Sequence, residues 1–167
     1  MLANGASPML AMLGNCGLVN TSIFMCVGTS PHCAQVIVAG YAYRLNAAVL
    51  KEEFKHSVTV QHLLLRFMQA LITHVAQTAV CNRHHTIVQR LCRLLLLSLD
   101  RLPSNELHMT QEQIAIMLGV RREGVTESAR HLQDAGLIHT QRGHRTVLDQ
   151  PKLEQRRGGC CAGVQRE

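Results

Sequence analysis

Between Thr110 and Ile138 the sequence reads TQEQIAIMLGVRREGVTESARHLQDAGLI, two short amphipathic patterns that meet at one glycine. Thr110 with Gln113 is the signature of a capping box, in which a hydroxyl and an amide satisfy the first free N–H groups of a helix. Ile114, Ala115 and Leu118 give that helix an apolar side, and the smallness of Ala115 lets a second helix cross close by. At Gly119 the chain must turn through a left-handed backbone, which glycine adopts at little cost. Val125, Ala129 and Leu132 form the buried side of the next helix. A small residue, a glycine and a β-branched residue at these intervals is the spacing of a helix-turn-helix, with Ala115, Gly119 and Val125 as its packed centre.

The residues after the second helix extend the motif. Leu137-Ile138-His139 and Thr146-Val147-Leu148 read as strands joined at Arg142-Gly143, where glycine supplies a tight turn, so a wing is expected behind that helix. Residues at the start of the second helix project into a major groove, where Arg can bond bidentately to guanine and Glu can accept from cytosine. Arg122 and Glu123, with Thr126 and Glu127 beyond them, are the expected base readers. Arg121, Arg130 and His131, and the wing residues Arg142, His144 and Arg145, suit phosphates, which fix register but carry no sequence information. A merely solvated charged face is the competing explanation. The charges coincide, however, with the two surfaces that a winged motif offers to a duplex.

The rest of the chain sets bounds. It has 17 Lys and Arg against 11 Asp and Glu, a net charge of +6 that leans towards polyanions without requiring them. No charged residue precedes Arg44, and Asn, Gly and Ser interrupt the early apolar run, so no export signal is expected. Arg66, Gln69, His74 and Gln77 break the most apolar later stretch, so no membrane span is expected either, and the cytoplasm is the expected location. The seven cysteines lack a CxxC pair and read as reduced thiols, mostly small apolar fillers.

Residues 14–46 alternate β-branched and small residues around a turn at Thr29 to His32, which predicts two or three strands. The period then changes. Leu64, Met68, Leu71 and Val75 fall at helical spacing and predict a long helix over about 56–80, with more apolar surface than one neighbour needs. Pairing with a second copy through those four residues is the expected use; a helix buried within one monomer is the alternative. Asn82 is placed to cap a further helix carrying Ile87, Leu91, Leu94, Leu95 and Leu99, which stops before Pro103. The end, RRGGCCAGVQRE, reads as a loose tail.

Taken in order, LKEEF, CNRHHTIVQRLCRLLL, MTQEQIAIMLGVRREGVTESARHLQDAGLI and RGHRTVLD resemble the Crp/Fnr superfamily of bacterial transcription regulators over residues 45–154, and more loosely over 14–44. The resemblance implies an α+β fold: a partial cyclic-nucleotide-binding-type β-roll over 1–55, a dimerisation helix over 56–81, a winged helix-turn-helix over 82–157 and a tail over 158–167. It implies a homodimer on a two-fold operator in double-stranded DNA, with RNA polymerase as a further partner and no membrane. Glu127 stands where the family usually has an Arg or polar base reader, so a different operator is expected. Arg121 stands where a capping Ser or Thr is usual. The roll is shortened, and NGASPMLAMLGNCGLVNTS lacks the Gly-Glu and Arg-Ser pairs that hold a cyclic nucleotide, so no cofactor is expected. An alternative is a shortened interaction protein that pairs with a full-length relative and titrates it.

Other chemistries find little support. Cys16, Cys26 and Cys33 are too few and too far apart for an iron-sulfur cluster. Cys160-Cys161 sits in a Gly-rich tail with no preorganised site. His84-His85 are adjacent on a helix and have no carboxylate at i+3 or i+4 to complete a metal site. No phosphate loop, nucleophile elbow or HExxH occurs, and neither an enzyme nor a metal protein is expected.

Overall fold

The computed structural model describes residues 8–25, 27–30, 32–102, 104–141 and 143–159. They fall into two compact units, one of residues 13–73 and one of residues 8–12 with 74–159.

In the unit 13–73, a short 3-10 turn (Thr21–Ile23) leads to Phe24, which is buried. Its ring stacks on Phe54 with centroids 5.6 Å apart. Helix α1 (Ala47–His56) starts at Asn46, whose side chain accepts from the Ala48 amide. Ser57 is extended and breaks the helix, and its hydroxyl accepts from the Val60 amide to start helix α2 (Val58–His84). The strands expected within 14–46 are not formed among the described residues; that stretch is irregular, and Tyr41 and Tyr43 are fully exposed. β-propensity records the fit of a side chain to a pleated, half-buried surface. Two short runs without further strands or a covering layer offer no such surface.

By length and composition α2 is apolar enough to cross a membrane, at mean hydropathy 1.2, although Arg66, Gln69, His74 and Gln77 punctuate it. Leu64, Met68, Leu71 and Val75 are each half-buried along it, while Leu65 and Ile72 stand more than half exposed beside them.

The other unit is built around helix α3 (Ile87–Leu99). Its cap is Thr86 rather than Asn82, which lies inside α2. Thr86 and Gln89 form a capping box whose two reciprocal bonds measure 3.3 and 3.0 Å, whereas Asn82 precedes a turn that is still helical. Residues 91–98 are all buried, so even Arg93 and Ser98, off the apolar stripe of α3, are covered. Helices α4 (Gln111–Leu118), α5 (Arg122–Asp134) and α6 (Gln150–Arg156) pack around it. Strands β1 (Glu106–His108), β2 (Ile138–Gln141) and β3 (His144–Val147) form one antiparallel sheet in the order β1-β3-β2. This mixture of helices with a small antiparallel sheet is the expected α+β class.

Residues 8–12 belong to the same unit. The Met9 amide donates to the Met117 carbonyl at 2.9 Å, and Arg101 Nε donates to the Met12 carbonyl at 3.1 Å.

Candidate nucleic-acid interface

The helix-turn-helix forms as its local chemistry dictates. Thr110 and Gln113 make the expected capping box, at 3.1 and 2.8 Å. Gly119 ends α4 at φ +63°, and its amide reaches back to the Ile116 carbonyl. A β-carbon there would meet left-handed strain and the Pro8 ring at 3.1 Å. Arg90 of α3 donates to the Leu118 carbonyl, fastening the end of α4 to the central helix. Ala115 and Val125 are buried where α4 crosses α5. Gly124 serves close approach, since a β-carbon would sit 2.9 Å from Ile87 Cδ1.

Helix α5 has two opposite sides. Val125, Ser128, Ala129 and Leu132 are buried, whereas Arg122, Glu123, Thr126, Glu127, Arg130 and His131 are exposed together with Arg121 ahead of them. Arg121 occupies the N-cap without a side-chain cap bond, as its chemistry predicts, so the first amides of α5 face outward unsatisfied by that residue. The Thr126 hydroxyl lies 2.7 Å from Gln111 Oε1 and 3.1 Å from the Arg122 carbonyl, which ties the exposed face of α5 to the start of α4. Sequence reading missed Gln111; only the crossing of the two helices brings it to Thr126. Arg130 reaches Asp134 at 4.0 Å in the open, a pairing too long and too solvated to hold the guanidinium in place.

The wing differs from expectation in one respect. β2 and β3 join at Gly143, φ +88°, and His144 is exposed at the start of β3. Arg145 is not on the surface: it is 1% exposed, and it donates to the Met109 carbonyl. Strand residues alternate between faces, so His144 and Arg145 cannot both point outward. Arg145 therefore serves packing rather than a phosphate. Arg142 lies outside the described residues.

The cysteines divide. Cys81 and Cys92 are buried fillers as expected, and burial pushes the Cys92 thiol up to about 11. Cys16 and Cys33 are exposed, unlike the small buried fillers expected. Cys26, Cys160 and Cys161 lie outside the described residues. Among the described residues, no group of three or more His, Cys, Asp or Glu is placed to hold a metal ion.

Residues 89–156 match the Crp-like helix-turn-helix domain family. Among solved structures, a transcriptional regulator of the Crp/Fnr family from Eubacterium rectale is 30% identical, with a TM-score of 0.54, covering 66% of this chain and 51% of that one. FixK2 from Bradyrhizobium japonicum has a TM-score of 0.63 at 17% identity, covering 69% of this chain and 60% of its own. A Crp-family transcriptional regulator from Thermus thermophilus has a TM-score of 0.54 at 23% identity, covering 62% and 56%. The last two likenesses are of fold alone, and this chain spans only 51%, 60% and 56% of the three structures' own lengths. No curated protein matches the chain. Residues 89–156 are therefore a Crp-like helix-turn-helix domain, and about two thirds of the chain is similar in fold to part of the solved Crp/Fnr-family regulators.

Proposed function

We propose that this chain is a sequence-specific DNA-binding transcription regulator that acts in the cytoplasm as a homodimer on a two-fold operator. One observation carries the reading: the outer side of α5 exposes Arg122, Glu123, Thr126, Glu127 and Arg130 together, above a side that is wholly buried. Arg122 and Glu123 at the mouth of the helix then meet base edges, with Thr126 and Glu127 one turn further in. Arg121, Arg130, His131 and His144 contact phosphates on either side. Arg142 joins them if the wing tip reaches the backbone.

The pairing surface is the face of α2 that carries Leu64, Met68, Leu71 and Val75, widened by Leu65 and Ile72. Those two exposed apolar side chains stand seven residues apart, the repeat at which one helix meets another in a coiled coil. Two-fold symmetry then sets two α5 helices on half-sites one turn of the duplex apart, about 34–36 Å. The test is selection from a random duplex pool with the purified chain, followed by a salt titration on the winning sequence. A palindromic winner with steeply salt-dependent affinity is expected. A folded chain that enriches nothing would overturn the reading.

A further inference from the structure

The wing sheet brings together two imidazoles that lie far apart in the sequence. β1 pairs with β3 so that His108 stands opposite His144. Strand residues two apart share a face, so Glu106, His108 and His144 lie on the outer side of the sheet while Leu107 and Arg145 are buried beneath. Both rings are exposed, with centroids 4.3 Å apart and planes at 74°. His144 is also among the residues proposed to contact phosphate, whereas the α5 surface and the pairing of α2 play no part in what the two imidazoles can bind together.

We propose that His108 and His144 form a two-imidazole site for a divalent transition ion of the Cu2+, Ni2+ or Zn2+ class, with water completing the coordination shell. Imidazole nitrogen suits these ions, whereas hard cations such as Ca2+ and Mg2+ take oxygen ligands. The spacing also fits. Metal–nitrogen bonds of about 2.0–2.1 Å set the ion about 3.2 Å from each ring centre, so ligating rings lie about 4.5 Å apart at a right angle and about 5.2 Å apart at a tetrahedral one. The 4.3 Å found here is nearer the right-angle value, which belongs to the square-planar and octahedral shells that Cu2+ and Ni2+ adopt. Two neighbouring strands hold both ligands, so little freedom is lost when the ion arrives. Glu106 lies on the same face two residues from His108 and adds negative charge beside the cation.

The test is equilibrium dialysis of the full chain against Ni2+ after alkylation of its accessible thiols, with thermal melting as a second readout. Wild type is expected to bind a single Ni2+ at sub-millimolar concentration. Its melting point should rise with Ni2+, because an ion bridging β1 and β3 binds the folded chain and not the unfolded one. His108→Ala and His144→Ala should each bind about tenfold or more weakly and lose the rise in melting point. The double variant His84→Ala/His85→Ala should bind as wild type does. Undiminished binding in His108→Ala or His144→Ala, loss of binding in the His84/His85 variant, or a folded wild type that takes up no Ni2+ would each overturn the proposal.

Discussion

The buried guanidinium of Arg145 donates to the main-chain carbonyl of Met109, so the wing strand β3 is tied directly to the residue that precedes the helix-turn-helix. Burial holds the Arg145 pKa below the ordinary arginine value, and its Nε has no hydrogen-bond partner among the described residues. Arg145→Ala would leave the Met109 carbonyl unpaired and a hole beneath the sheet. Urea denaturation should show a loss of about 1–3 kcal/mol. The salt dependence of DNA binding by the folded variant should be unchanged; a smaller slope would mean that Arg145 touches a phosphate after all.

At the mouth of α5 the two arginines should behave differently. Arg122→Ala should cost on the order of 1–3 kcal/mol at one base position and relax specificity there. Arg121→Ser should gain roughly 1 kcal/mol of stability by supplying the missing cap acceptor. The same substitution should weaken binding to all sequences alike and reduce the salt slope by about one. Affinity measured on a panel of single-base operator variants separates the two patterns.

Gly119 sits in left-handed backbone against Pro8. Gly119→Ala should cost about 1–2 kcal/mol from backbone strain alone. Chemical denaturation of the purified variant measures it, and a neutral result would show that the turn can relax.

His74 is buried in α2, and its Nε2 has no hydrogen-bond partner among the described residues. Burial first, then the charges of Arg93 and Arg101, pull its pKa from 6.5 down to about 4. Between those values the unfolded chain binds a proton that the folded chain refuses, so stability is full above pH 6.5 and falls as the pH drops towards 4. The slope from this one group reaches about 1.4 kcal/mol per pH unit. Urea midpoints of wild type and His74→Leu across that range should diverge with pH; parallel curves would remove His74 as the cause.

Ile72→Glu places a charge on the exposed apolar face of α2 without touching the buried side of the helix. Sedimentation velocity should then find a folded monomer where wild type is expected to run as a dimer, and operator affinity should fall with it. A dimeric Ile72→Glu chain would move the interface elsewhere.

The sequence announces those features whose physics is local. A capping box needs two residues three apart, and a left-handed turn needs a glycine, so Thr110, Gln113, Gly119 and the hairpin at Gly143 can be read without a fold. β1 cannot: three residues carry no period, and its partner β3 lies beyond two helices. α6 does carry a signal, since Asp149 accepts from the Lys152 amide and Pro151 sits in the first turn, but the pattern around it reads as a closing strand that runs up to that aspartate. The alternation within β3 likewise separates Arg145 from His144. At residues 14–46 propensity speaks for strands, and no neighbouring layer among the described residues answers it.

The strand order β1-β3-β2 has a consequence for how the chain is made. Leu107 emerges from the ribosome well before Arg145, its partner in register, and two helices must be synthesised in between. The nascent sheet cannot close until Val147 has left the exit tunnel, so the domain gains its wing in one step, after α4 and α5 have been made. A messenger that stops short of β3 leaves β1 without a partner, and its product would carry the turn between α4 and α5 but lack the strand that fastens that turn's platform to the wing.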